Sequence, residues 1–207
     1  MNRDSSKKAP APRLRTRLKE ATTEAIRAAA EEVLGEQGFG ARMEDIAERA
    51  GVSVGTLYNH FEDRTALLRE LLRMRREVML EKVDAVLAEV ESRPFREQLQ
   101  ALLTVVFGHF REHSAFFSLA MQSEALRGPI FPAQGSTLVE LTTRVERLVQ
   151  RGVAAGEVRR EGSEFHASLL VGMVRALLLR AAAEKRSDEL QRGADELLRV
   201  FLKGTEV

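Results

Sequence analysis

The 207-residue chain contains no cysteine and only five prolines, and signals for β-strands are nearly absent. The missing thiols exclude a disulfide framework, a thiolate metal site and a cysteine nucleophile. The scarcity of proline, with Ala, Leu, Arg and Glu dominant, favours an all-α protein. The apolar runs, such as residues 169–174, are broken by charge long before the roughly 18 residues of a membrane span. No apolar stretch follows Met1, so no signal peptide is expected, and a soluble, cytoplasmic chain is. Glycine-rich phosphate loops, a nucleophile elbow and a His-Glu-x-x-His motif are also missing, which argues against an enzyme.

Net charge is only +1, yet it is uneven. Arg3, Lys7, Lys8, Arg13, Arg15, Arg17 and Lys19 crowd the first 19 residues against one acid, Asp4, leaving the remainder acidic. A basic arm on a mildly acidic body suits contact with a polyanion, and equally a solubilising tail. Residues 1–13, rich in Lys, Ser, Ala and Pro, read as disordered.

Apolar spacing predicts a helix over 14–37, ended by Gly38 in the left-handed conformation. A short helix follows at about 43–50, then a tight turn at Gly51–Ser53, then a second short helix to about Phe61. Asp63 caps a long amphipathic helix reaching about 91, which Ser92-Arg93-Pro94 ends. Further helices are expected at about 94–112, 115–126, 133–155, 164–185 and 188–203, with Ser187 as a cap and Gly204 as the last stop. The organisation is a three-helix domain over 14–62 and a six-helix domain over 63–207.

Two short helices joined by a tight turn form a helix-turn-helix when the details fit. Ala47 is small at the helix crossing, Gly51 supplies the positive φ of the turn, and Ser53 caps the second helix. Ile46, Val52 and Leu57 are spaced for a small core. On a wheel of about 100° per residue, Leu57 and Phe61 join Val54 on one face. Gly55, Thr56 and Asn59 lie opposite, and Tyr58 and His60 flank them. In a major groove the outer face meets base edges and the flanks meet phosphates. Asn59 suits adenine and Thr56 suits a hydrogen bond or a thymine methyl.

The segment 43–68, MEDIAERAGVSVGTLYNHFEDRTALL, resembles the DNA-binding signature of TetR-family transcriptional regulators. The likeness rests on Ile46-Ala47, Ala50-Gly51-Val52-Ser53, Gly55-Thr56-Leu57-Tyr58, His60-Phe61, Arg64 and Leu67. It implies a dimeric repressor that leaves a palindromic operator when a small apolar molecule binds the C-terminal domain. A regulator controlled by a partner protein is the alternative. Ser53 and Val54 open the DNA-facing helix, and Tyr58, His60 and Arg64 match positions that touch or lie near phosphates. The family often has a capping Thr before the second helix; here Ala41 and Arg42 stand instead, and Arg42 is a candidate for the phosphate contact by charge. Arg13, Arg15 and Arg17 then become candidates for an arm that enters DNA beside the first helix.

The resemblance places the dimer face on the last two long helices. Val171, Val174 and Leu178 on one, with Leu190, Ala194, Leu197 and Phe201 on the other, are the candidates, ordinary core being the alternative. Phe107, Phe110, Phe117, Met121 and Met173 either line an apolar effector pocket or pack as core. His109 and His113, at i and i+4 with Glu112 between them, have metal-ligand spacing, and His166 is a distant candidate to join them. Histidines so spaced are more often solvated or half-buried, and no metal or other cofactor is expected.

Overall fold

A computed structural model describes residues 12–114, 117, 137–184 and 186–205. They form eight α-helices: α1 (Pro12–Gln37), α2 (Met43–Arg49), α3 (Val54–His60), α4 (Arg64–Glu89), α5 (Phe95–Glu112), α6 (Thr137–Ala154), α7 (Ser163–Glu184) and α8 (Leu190–Thr205). Short 3-10 turns span Gly38–Gly40 and Ser187–Glu189, and the described residues contain no strand. The fold is all-α, as composition required. The chain divides into two compact units, residues 1–67 and 68–207, so the first turn of α4 groups with the N-terminal unit.

In the first unit α1 packs on α2, and α2 on α3. Its core takes Ile26, Ala30, Val33 and Leu34 from α1, Ile46 and Ala47 from α2, and Leu57 from α3, all essentially without solvent exposure. Gly38 (φ 59°) ends α1 and Gly51 (φ 67°) turns the chain between α2 and α3. Only glycine reaches those angles without a Cβ clash. The helix α1 starts at Pro12, so Pro12 and Arg13 belong to it and not to a disordered arm. Proline favours a first helical position because its missing N–H would have no helical partner there.

The second unit is built around one apolar cluster drawn from α4 to α8, including Val83, Leu99, Leu102, Leu148, Leu170 and Leu202. Here α7 packs on α6 and α8, and α5 packs on α6 and α8. Buried Gln98 closes the α4–α5 corner: its amide donates to the carbonyls of Glu91 (3.1 Å) and Arg93 (2.7 Å) and accepts from Arg151 (3.1 Å). Arg144 of α6 forms a two-pronged ion pair with Asp84 of α4 at 2.7 and 2.8 Å, a geometry that fixes direction as well as distance.

Several expected ends move. Gly204 does not stop the last helix, which continues to Thr205. Pro94 precedes α5 and receives its first hydrogen bonds through its carbonyl. The helix expected at 115–126 lies outside the described residues apart from Phe117, as does Met121. Among the described helices α7 alone is long and apolar enough to cross a membrane. Its inner face is buried in the unit's core, and Arg175 and Arg180 are exposed on the rest.

Candidate DNA-binding surface

The second helix of the helix-turn-helix is held at both ends. Ser53 Oγ accepts the backbone N–H of Thr56 at 3.0 Å, a true N-cap, and lies 2.8 Å from Thr56 Oγ1. Phe61 leaves the helix in an extended conformation and is buried, so it anchors α3 from just beyond its end. Leu57 is fully buried on the inner face. Gly55, Tyr58 and Asn59 are exposed, Tyr58 by 46%. Val54, Thr56 and His60 are half-buried.

The rotation expected from the wheel is therefore present, with two refinements. The Thr56 hydroxyl is engaged by Ser53, so Asn59 is the amide most available on the outer face. His60 Nδ1 lies 2.9 Å from Thr23 Oγ1, and that same hydroxyl donates to the Lys19 carbonyl at 2.9 Å. Thr23 has one proton, so with it on Lys19 the His60 Nδ1–H is the donor. The neutral ring then carries a lone pair on Nε2, and only the imidazolium donates a second hydrogen bond from that atom.

The flanking cations have different settings. Arg42 is the N-cap of α2 and, lacking an acceptor, makes only half a capping arrangement: its own N–H is accepted by Asp45 at 3.4 Å. Its guanidinium stays exposed, 3.4 Å from Glu44. Arg64 donates to the Gly38 carbonyl at 2.9 Å and so closes the end of α1. No sequence signal pointed to that partner. Arg15 and Arg17 are exposed on the first turns of α1. Arg49 ties α2 to α1 through Glu32 and Glu36 at 2.9 and 3.0 Å.

In the second unit the candidates for the dimer face need correction. Val171, Val174, Leu190, Ala194, Leu197 and Phe201 are all buried in the protomer's own core, and Leu178 is packed against it. The outer face of α7 instead presents Phe165, Leu169, Gly172, Ala176 and Leu179, at alternating spacings of four and three. Phe165 and Leu169 are 62% and 57% exposed. Apolar spacing alone did not distinguish the faces because α7 is apolar on both.

The aromatic candidates are also mostly core. Phe107 and Phe110 are buried, Phe110 stacks on Phe117 at 5.4 Å, and Met173 packs against the same cluster. A groove of about 620 Å³ lies elsewhere, along α7 and α8, bordered by Arg180, Glu184, Arg192, Asp195 and Arg199. Its mixed charge does not suit a small apolar molecule.

The family model for bacterial regulatory proteins of the tetR family matches residues 26–71. Over 63 residues the chain is 38% identical to HTH-type transcriptional regulator SAR0097 of Staphylococcus aureus. That match covers 30% of this chain and only 33% of the relative, so it concerns about a third of that protein's length. The crystal structure of TetR transcriptional regulator SCO0520 from Streptomyces coelicolor is similar at 27% identity and a TM-score of 0.59, over 89% of this chain and 98% of that one. A TetR-family transcriptional regulator from Mesorhizobium loti gives a TM-score of 0.72 at 21% identity, over 91% and 98%. The last likeness concerns the fold alone.

Proposed function

We propose that the chain is a DNA-binding transcriptional regulator of the TetR family, whose model matches residues 26–71, and that it acts as a dimeric repressor of a palindromic operator. The observation that carries this reading is the exposed face of α3, with Gly55, Tyr58 and Asn59 set opposite buried Leu57. Gly55 leaves space for close approach, Asn59 reads an adenine, and Tyr58, His60 and Arg42 contact phosphates. Arg15 and Arg17 extend the basic surface along the start of α1, the helix to which Arg13 also belongs.

One helix this short gives little affinity, so a second half-site is needed. The exposed apolar stripe of α7, from Phe165 to Leu179, supports pairing with a second copy, because a helix apolar on both faces needs cover on both. Release by a small apolar effector in the second unit completes the proposal. It requires an effector that favours the conformer fitting DNA poorly. The ring-on-ring packing of Phe110 and Phe117 favours the alternative, a regulator without such an effector, answering to a partner protein.

The test is selection of a preferred site from random duplexes, followed by variants. Asn59→Ala changes preference at one base pair by about 1–3 kcal/mol, whereas Tyr58→Phe weakens all sites alike. A uniform loss with Asn59→Ala would show that the outer face does not read bases.

A further inference from the structure

The last turn of α5 brings three metal-ligating side chains together. His109, Glu112 and His113 each offer one ligand atom, and these atoms lie within 4.8 Å of one another. The first two sit one helical turn apart, and His113 is the residue at which the chain leaves the helix. His109 is only 2% exposed, and among the described residues neither ring nitrogen has a hydrogen-bond partner. Among the described residues the rings of His113 and Phe117 meet it edge-on, at 5.0 and 5.8 Å between centroids. A buried imidazole normally satisfies at least one nitrogen, and a bound cation does so through a lone pair. Glu112, not His166, is the third member; the His166 ring faces Phe201 at 6.0 Å.

We propose that His109, Glu112 and His113 form a binding site for one divalent transition-metal ion, held by two imidazole nitrogens and a carboxylate oxygen. Two imidazoles with a carboxylate suit Zn²⁺, Co²⁺ or Ni²⁺ better than Mg²⁺ or Ca²⁺, which prefer oxygen ligands throughout. Bonds of about 2.1 Å from a tetrahedral ion bring ligand atoms to about 3.4 Å apart. The contraction from the present spacing is within reach of rotamer changes in exposed Glu112 and half-buried His113. Three protein ligands leave a further position for water or a small molecule. The ion pins residue 113 to the turn before it.

Two cations oppose the site and tune it. Lys82 Nζ lies 3.4 Å from Glu112 Oε2, and Arg75 is near enough to act on His109. The Lys82–Glu112 pair is exposed on both sides, so exchanging it for a metal bond is a small loss. Removing Lys82 therefore tightens binding.

The experiment uses full-length, tag-free protein stripped with chelator and titrated with Co²⁺, then Zn²⁺. One Co²⁺ per chain is expected, with visible d–d absorption that Zn²⁺ abolishes. His113→Ala and Glu112→Gln, at residues not in the core, each weaken binding on the order of tenfold or more. Lys82→Met strengthens it, and His166→Gln leaves it unchanged. Zn²⁺ raises the melting temperature of the parent but not of His113→Ala. Binding that survives His113→Ala at full strength, binding lost with His166→Gln, or no binding at 100-fold excess of Zn²⁺ over protein would each overturn the proposal.

Discussion

The two units use their polar side chains in different ways. In the first, many bonds close on nearby backbone: Ser53 on Thr56, Asp63 on Ala66 at 2.6 Å, and Asp45 on Arg42. In the second, the corresponding bonds join residues far apart in sequence. Arg144 reaches Asp84, Arg151 reaches Gln98, Glu157 accepts the N–H of Phe95 at 2.8 Å, and the N–H of Arg159 donates to the Thr205 carbonyl at 2.9 Å. The turn and the helix starts of the first unit are specified by signals within three or four residues, while Arg49, His60 and Arg64 tie its elements together over longer separations. The second depends on a tertiary arrangement that must be complete before its polar groups find partners.

The largest expected effect that separates the units is an acid one. Among the described residues, the histidines buried without a full set of partners, His109 and His166, lie in the second unit. Burial pushes His109 down to about 4, aided by the positive charge near it, and burial with Arg159 lowers His166. An unfolded histidine titrates near 6.5, so below that pH the unfolded chain takes up protons that the folded chain refuses. The stability from these groups is fully present above about pH 6.5 and is lost as pH falls towards 4, with His109 contributing up to about 3 kcal/mol. Metal-free protein should therefore lose helical circular dichroism, dominated by the larger unit, before the fluorescence of Tyr58 changes. Tyr58 is the sole tyrosine of a chain without tryptophan, so it reports on the first unit alone. Coincident loss of both signals would remove the distinction between the units.

The same contrast governs what the sequence made legible. Ser53, Gly51, Gly38 and Asp63 act on their own neighbours, so the helix-turn-helix and the face presented by Asn59 followed from spacing. The sequence could not show that His60 meets Thr23 or that Arg64 meets Gly38, because those partners lie on a different element. In the second unit the helices were visible but their faces were not. Val171 and Phe165 are equally apolar, yet the first is buried in the protomer and the second is exposed. The spacing of His109 and His113 was plain; that His109 would be buried with no partner depended on how α5 packs.

Glycine-to-alanine changes give the next test. A Cβ at Gly152 would stand 2.7 Å from Val158 Cγ2 and 2.9 Å from Phe95 Cδ2, both closer than packed carbons approach. Gly152→Ala should destabilise the second unit by about 1–3 kcal/mol in denaturant titration, the usual cost of overpacking. A Cβ at Gly55 would meet only Ser53 Oγ, at 3.9 Å. Gly55→Ala should leave the fold as stable or up to about 1 kcal/mol more so, since alanine favours a helix, while weakening DNA binding through the methyl placed towards the bases. If both variants lose stability equally, α3 is not the open surface it is taken to be.

The smallest effect isolates the local signal itself. Ser53→Ala removes the acceptor for the Thr56 N–H and should cost about 1 kcal/mol, within the usual 0.5–2 kcal/mol for a lost N-cap. Ser53→Asp keeps an acceptor and adds a negative charge at the positive end of α3, so stability should return to the parent value. DNA should still bind less well, because that charge faces the phosphates that α3 approaches. The combination separates the two roles of the residue: restored folding with weakened binding means that Ser53 caps the helix at the DNA surface. Parent-like DNA affinity in Ser53→Asp would instead put the start of α3 away from the backbone, and would move the contact surface towards Tyr58 and His60.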